Sequence, residues 1–227
     1  MTRSGAGRAA LTLLIVATIV GLLALGTWQV HRLSWKLDLI AKVDRRLHAA
    51  PVPAPRTAGP DAVYTRITAQ GRFQNDRETL VKAVTDLGSG FWVLTPLTTD
   101  RGFTILINRG FVPAERGTAH SAPAGMVTVT GLLRVTEPKG GFLRSNDPIN
   151  DRWFSRDVAA IAAKRGVSAA PYFIDADAAS SPDWPRGGLT VIRFDNNHLV
   201  YAITWFTLAL LLAGASGWLA WRGRRAD

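Results

Sequence analysis

Two runs without a charged residue decide what this chain can be. Ala9 to Val30 is uncharged over 22 residues and Leu199 to Trp221 over 23, against the ~20 that an α-helix needs to cross the hydrocarbon core of a bilayer. Both are read as transmembrane helices. A secretory signal peptide competes for the first, because Arg3 and Arg8 form a basic n-region and Ala24-Leu25-Gly26 loosely resembles a cleavage site. The run is too long for one, and it continues into Trp28 and Trp35, which suit a retained helix reaching the interface.

Two spans leave both termini on one side and everything from about His31 to Asn197 on the other. The tails carry Arg3, Arg8, Arg222, Arg224 and Arg225 against Asp227 alone, so the positive-inside tendency puts residues 1–8 and 222–227 in the cytoplasm. Arg32, Lys36, Lys42, Arg45 and Arg46 pull the other way, although long domains translocate largely regardless of charge. The expectation is an extracytoplasmic domain. The eight residues before the first span are too few for an organelle transit peptide, which makes a bacterial plasma membrane the expected location. The net charge of +10 is spread along the chain rather than clustered with aromatics, so a nucleic-acid partner is not expected and the lipid bilayer or an acidic ligand is. With no cysteine, disulfides, iron–sulfur ligation and thiolate metal sites are excluded.

The first helix is expected to run on outside the membrane over residues 31–50, packing through Leu33, Leu37, Ile40, Val43 and Leu47. Pro51-Val52-Pro53-Ala54-Pro55 then ends it as an extended linker. From Val63 the period becomes alternating. Strands are expected over Val63–Phe73, Thr79–Val84, Phe91–Leu97, Thr104–Val112 and Met126–Val135, with turn residues between them and a loop over Pro113–Gly125. Gly71 and Gly131 read as bulges or strand ends. Asp157 should N-cap a short helix, Val158 to Gly166, with Gly166 as its stop. Two further strands, Pro171–Asp175 and Leu189–Phe194, should flank a proline-rich loop, Ser181–Gly188. The fold class is thus an α+β membrane protein. Transmembrane helices at 9–30 and 198–221 flank a β-rich domain, 51–197, that is an antiparallel meander or barrel-like and carries one short helix.

Chemistry is sparse. His31, His48, His120 and His198 form no HExxH or closely spaced pair, and no Walker loop, GxSxG or dinucleotide fingerprint occurs, so an enzyme is not expected. On a helix His198, Tyr201, Ala202 and Trp205 share one face at the membrane mouth. Two readings stand: an ionisable group placed there for function, imidazole being the commonest metal ligand, or an interfacial anchor. Trp28, Arg32 and Trp35 similarly offer a cation between two indoles, or simple anchoring. Arg109, in Asn108-Arg109-Gly110, is either a fixed guanidinium for a carboxylate or a surface turn. Asp175 and Asp177 fall on one strand face and read as a solvated strand end.

Several dispersed motifs, in order, resemble the surfeit locus protein one family of membrane-anchored assembly factors. They are Leu25-Gly26-Thr27-Trp28-Gln29 with Arg32 and Trp35-Lys36, Gly71-Arg72-Phe73, and Gly90-Phe91-Trp92-Val93-Leu94-Thr95-Pro96-Leu97. Asn108-Arg109-Gly110-Phe111-Val112-Pro113, Trp153 with Asp157, and Asn197-His198-Leu199-Val200-Tyr201-Ala202-Ile203-Thr204-Trp205 complete the set. Phe111 stands where the family often has a second tryptophan. The resemblance implies a role in assembling haem–copper cytochrome c oxidase, with haem a as transient cargo delivered to subunit one. It also implies subunit one and haem a synthase as partners. The family histidine maps onto His198 as the haem iron ligand. Tyr201, Trp205 and Trp28 would then line a groove, and Arg32, Lys36 or Arg109 would meet carboxylates. The alternative is a scaffold that binds oxidase subunits and never touches haem.

Overall fold

The computed structural model describes residues 3–117, 120, 122–138, 140, 144–178, 183–192 and 194–225. Parts of the Pro113–Gly125 and Ser181–Gly188 loops, Arg193, and the terminal residues 1, 2, 226 and 227 lie outside the described residues. The chain forms two compact units, one of Met1–Lys42 with Arg193–Asp227, the other Val43–Ile192.

Helix α1 runs Arg3–His48. No proline interrupts it until Pro51, which cannot continue a helix, and Arg45, Arg46 and His48 in its last turn complement the negative end of the helix dipole. The other long apolar helix, α3, is His198–Arg224. Both are long and apolar enough to cross a membrane, and only 6% and 11% of their most apolar windows is buried within the protein. That pattern is of helices that keep apolar surface facing outward, unlike the core helix of a soluble domain.

The second unit is a barrel. Its strands are β1 (Val52–Pro53), β2 (Arg66–Phe73), β3 (Thr79–Thr85), β4 (Gly88–Thr99), β5 (Thr104–Pro113), β6 (Val127–Val135) and β7 (Ala169–Ala176), with helix α2 (Val158–Arg165) before the last. The order β1-β2-β6-β7-β5-β4-β3 closes on itself because β2 also pairs with β4. β4 is long enough to serve two neighbours on one edge: residues 88–94 pair with β3 and Leu97–Thr99 with Phe73–Gly71 of β2. Of the two forms expected, meander or barrel-like, the sheet takes the barrel-like one. It contains a parallel pair, β5 with β7, inside an otherwise antiparallel sheet apart from the short β1–β2 pair.

Period-two alternation sets the two sides of this wall. Ile105, Ile107, Tyr172 and Ile174 point into one cluster with Ile67, Leu97 and Leu133. Leu106 and Phe173, from the same strands, join Val81, Trp153, Val158 and Ile161 in a second cluster under α2. Asp157 caps α2 by accepting from Ala160 N at 3.1 Å, and Gly166 ends it in the left-handed conformation with φ 62°.

Four expectations change. The proline segment is no free linker: Val52 and Pro53 pair with Ile67 and Thr68, Ala54 is buried, and the Tyr172 hydroxyl donates to Pro55 O, burial pushing its pKa up. Gly71 and Gly131 are not bulges but regular ladder residues pairing on both sides. At Gly71 a Cβ would lie 2.2 Å from Thr98 O, so only glycine lets β4 approach closely enough to close the ring. The run Leu189–Phe194 forms no strand among its described residues. Asp175 is 4% exposed rather than solvated.

Candidate functional site

Within the helix unit, α1 and α3 meet through small residues. Ala202 and Ala209 are buried on α3, and a Cβ on Gly26 of α1 would come within 2.6 Å of the Phe206 ring. Such positions let two helices approach closely where no water competes. One polar contact sits at this seam. Gln29, 9% exposed, brings Oε1 to 2.7 Å from His198 Nδ1. A carbonyl oxygen only accepts, so Nδ1 is the donor in this pairing; an imidazole with a single proton then keeps its lone pair on Nε2.

The face expected to hold His198, Tyr201, Ala202 and Trp205 divides in the structure. Ala202 is buried and His198 half-buried, while Tyr201 turns outward at 52% exposure. Trp205 is half-buried, with its indole N–H enclosed and making no hydrogen bond. On α1, Trp28 is exposed, Arg32 lies 4.5 Å over the Trp35 ring, and Lys36 Nζ lies 5.6 Å from the Phe194 ring. The helix unit thus gathers an imidazole hydrogen-bonded through Nδ1, two cations held on aromatic faces, and outward-facing rings.

Arg109 belongs to the other unit, in β5 of the barrel. It is not a surface turn: the guanidinium is buried 3.5 Å from the Glu78 carboxylate and lies over Phe73 at 5.2 Å. Burial pulls its pKa down, and Glu78 opposes that shift. His120 Nε2 meets the other oxygen of Glu78 at 3.0 Å. Arg109 also lines a cavity of about 460 Å³ with Ile107, Val129 and Trp184.

Beside it the barrel wall holds a carboxylate that four groups address. Asp175 Oδ1 accepts from Asn108 Nδ2 at 2.7 Å and Arg156 at 3.0 Å; Oδ2 accepts from Arg134 at 2.8 Å and Thr190 Oγ1 at 3.0 Å. Glu137 pairs with both arginines, so two cations face two anions. Burial lowers the Arg156 pKa, but Asp175 and Glu137 outweigh it and hold it above its ordinary value. The cluster joins β5, β6, β7 and the chain leading to α3; it is a structural tie, with every partner satisfied. Among the described residues no group of three His, Cys, Asp or Glu side chains is arranged to hold a metal ion.

Comparison with known proteins places these features. The SURF1 family model matches residues 16–210, from the first span through the barrel into α3. The chain belongs to the SURF1 family. Surfeit locus protein 1 of Homo sapiens is 38% identical over 223 residues, covering 87% of this chain and 72% of the relative. That of Rattus norvegicus is 37% identical, covering 86% and 70%. That of Takifugu rubripes is 34% identical and covers 86% and 90%. The matched SURF1 segment includes both Gln29 and His198.

Sequence patterns alone do not single out Gln29, Phe194 or Glu78, and they read Asp175 as solvated. A signal existed for Gln29, a polar side chain among apolar neighbours three residues after Gly26. For Asp175 it was the unbroken run Tyr172-Phe173-Ile174, typical of a strand buried on both faces.

Proposed function

We propose that this SURF1-family chain is a membrane-anchored assembly factor for haem–copper cytochrome c oxidase, which takes up haem a as cargo, assists its insertion into subunit one, and works beside haem a synthase. The observation that carries the reading is the Gln29–His198 hydrogen bond. It points a nitrogen lone pair from a half-buried imidazole near the start of α3, where an apolar macrocycle with a lipid tail can be reached from the bilayer. His198 would hold the haem iron through this nitrogen. Arg32 and Lys36 supply positive charge for the two propionates. Trp28, Tyr201 and Trp205 supply ring surface, and Arg109, which lines the barrel cavity beside Glu78, is a further cation for a carboxylate.

The sequence carries no HExxH, GxSxG, Walker or dinucleotide motif, and in this reading the protein is a carrier rather than an enzyme. Its location in this reading is a bacterial plasma membrane with both termini cytoplasmic and the barrel outside, supported by the arginines of the two tails.

The test is an absorption spectrum of the detergent-purified protein coexpressed with haem a synthesis, wild type beside His198→Ala. Wild type should carry near-stoichiometric haem a and the variant little. A colourless wild type that still co-purifies with oxidase subunits would replace the carrier with a scaffold.

A further inference from the structure

We propose that Gln29 is the positioning residue of the haem site, fixing the His198 imidazole so that Nε2 faces the iron, and that its being a neutral amide keeps the cargo releasable. The inference rests on the carrier reading above. It comes from a placement that needs a reason: an amide buried at a seam of small apolar residues costs free energy unless it is hydrogen-bonded, and the partner it meets is His198.

A neutral imidazole has one proton for two nitrogens. An acceptor at Nδ1 decides which nitrogen holds it, and also stops the ring from turning. Without that acceptor both tautomers are populated, and part of the population presents N–H to the iron. The nature of the acceptor sets the strength of the ligand as well. A carboxylate at this position would draw the Nδ1 proton towards itself, make Nε2 a stronger donor and favour ferric iron. An amide carbonyl does the first job and less of the second. That balance suits a protein that must hand its haem on.

The arrangement also spans two helices. Gln29 stands on α1 and His198 on α3, a few residues from the close approach of Gly26 and Phe206. Orientation of the ligand therefore depends on the seam staying closed, and loosening it would weaken the iron bond without any change at the histidine.

The experiment uses the full chain in detergent, coexpressed with haem a synthesis, as wild type, Gln29→Met, Gln29→Glu, His198→Ala and His198→Ala with Gln29→Met. Haem per protein, affinity for added haem, midpoint potential and rate of haem loss to an apo-globin are measured. Methionine matches glutamine in length and helix preference but offers no oxygen acceptor, so Gln29→Met should lose roughly 10–100-fold in affinity. Gln29→Glu should keep the haem, shift the potential to more negative values and slow transfer to the globin. In the His198→Ala background Gln29→Met should change nothing further.

A bond that only glues the helices would lower thermal stability and leave the potential of the retained haem unmoved. Wild-type affinity and potential in Gln29→Met, alongside lost haem in His198→Ala, would overturn the proposal and spare the carrier reading. Equal haem in wild type and His198→Ala would remove both.

Discussion

Replacing Asp175 with alanine should destabilise the barrel by about 3–5 kcal/mol, the usual cost of removing one partner from a buried ion pair. The reason is what stays behind. Arg134 and Arg156, with side chains 18% and 13% exposed, lose the carboxylate they share, and Asn108 and Thr190 lose the acceptor of their hydrogen bonds. Glu137 still pairs with both guanidiniums, so the loss is that of a tie and not of all charge balance. Asp175→Asn keeps the shape and one acceptor oxygen, and should fall between alanine and wild type. Denaturant unfolding of the detergent-solubilised protein, followed by tryptophan fluorescence, gives the order, since Trp92 and Phe173 flank Arg156 and Trp153 is buried in the cluster beneath α2. An alanine variant within about 1 kcal/mol of wild type would mean that the cluster is hydrated and worth no more than a surface pair.

The second large effect is expected at Gly110. Its φ is +133°, and a Cβ would lie 2.2 Å from the backbone carbonyl of Arg186. Neither atom belongs to a flexible side chain that could swing away. Phe111 and Arg186 exchange two backbone hydrogen bonds of 2.9 Å, and the Phe111 ring meets Trp184 edge-on at 6.3 Å. Gly110→Ala must therefore lift residues 183–188 off β5, at a cost of about 4 kcal/mol or more, in the range reserved for backbone strain joined to lost packing. Gly88→Ala is the control. It also has positive φ, at 101°, but meets open space, so it should show the conformational strain alone, about 1–3 kcal/mol. Limited proteolysis is the direct measurement: new cleavage between residues 178 and 192 should appear in Gly110→Ala and not in Gly88→Ala.

Much of the fold was readable because it is written in local patterns. Uncharged length gives α1 and α3, alternation gives β2 to β6, and the Asp157 and Gly166 signals give α2 to within a residue. What escaped is non-local. The pairing of β5 with β7 joins residues 104–108 to 169–175, and no feature of either segment alone reveals that partner. The same holds for the closing contact of Gly71 with Thr99. Leu189–Val191 alternate as a strand would, yet Thr190 donates to Asp175 instead of entering a ladder. At the candidate site the histidine was legible from its setting. Its hydrogen-bond partner was not, because helical periodicity gives the faces of α1 and α3 but not their mutual register. For Arg109 the sequence leaves a fixed guanidinium and a surface turn both open, because its carboxylate, Glu78, lies 31 positions earlier and only the closed barrel brings the two together.

The place of β7 in the ring has a consequence for how the chain matures. It inserts between β6 and β5, and among the described residues it is the last strand to be synthesised. Until residues 169–176 emerge, β5 and β6 each present an unsatisfied edge, the kind of surface on which chains pair wrongly. The nascent barrel is thus held open for more than thirty residues after β6 is complete, with long-range pairing its slow step. Quality control of this protein should therefore act on a late intermediate, and chains stalled short of Ala176 should be cleared or aggregate rather than accumulate as partial barrels.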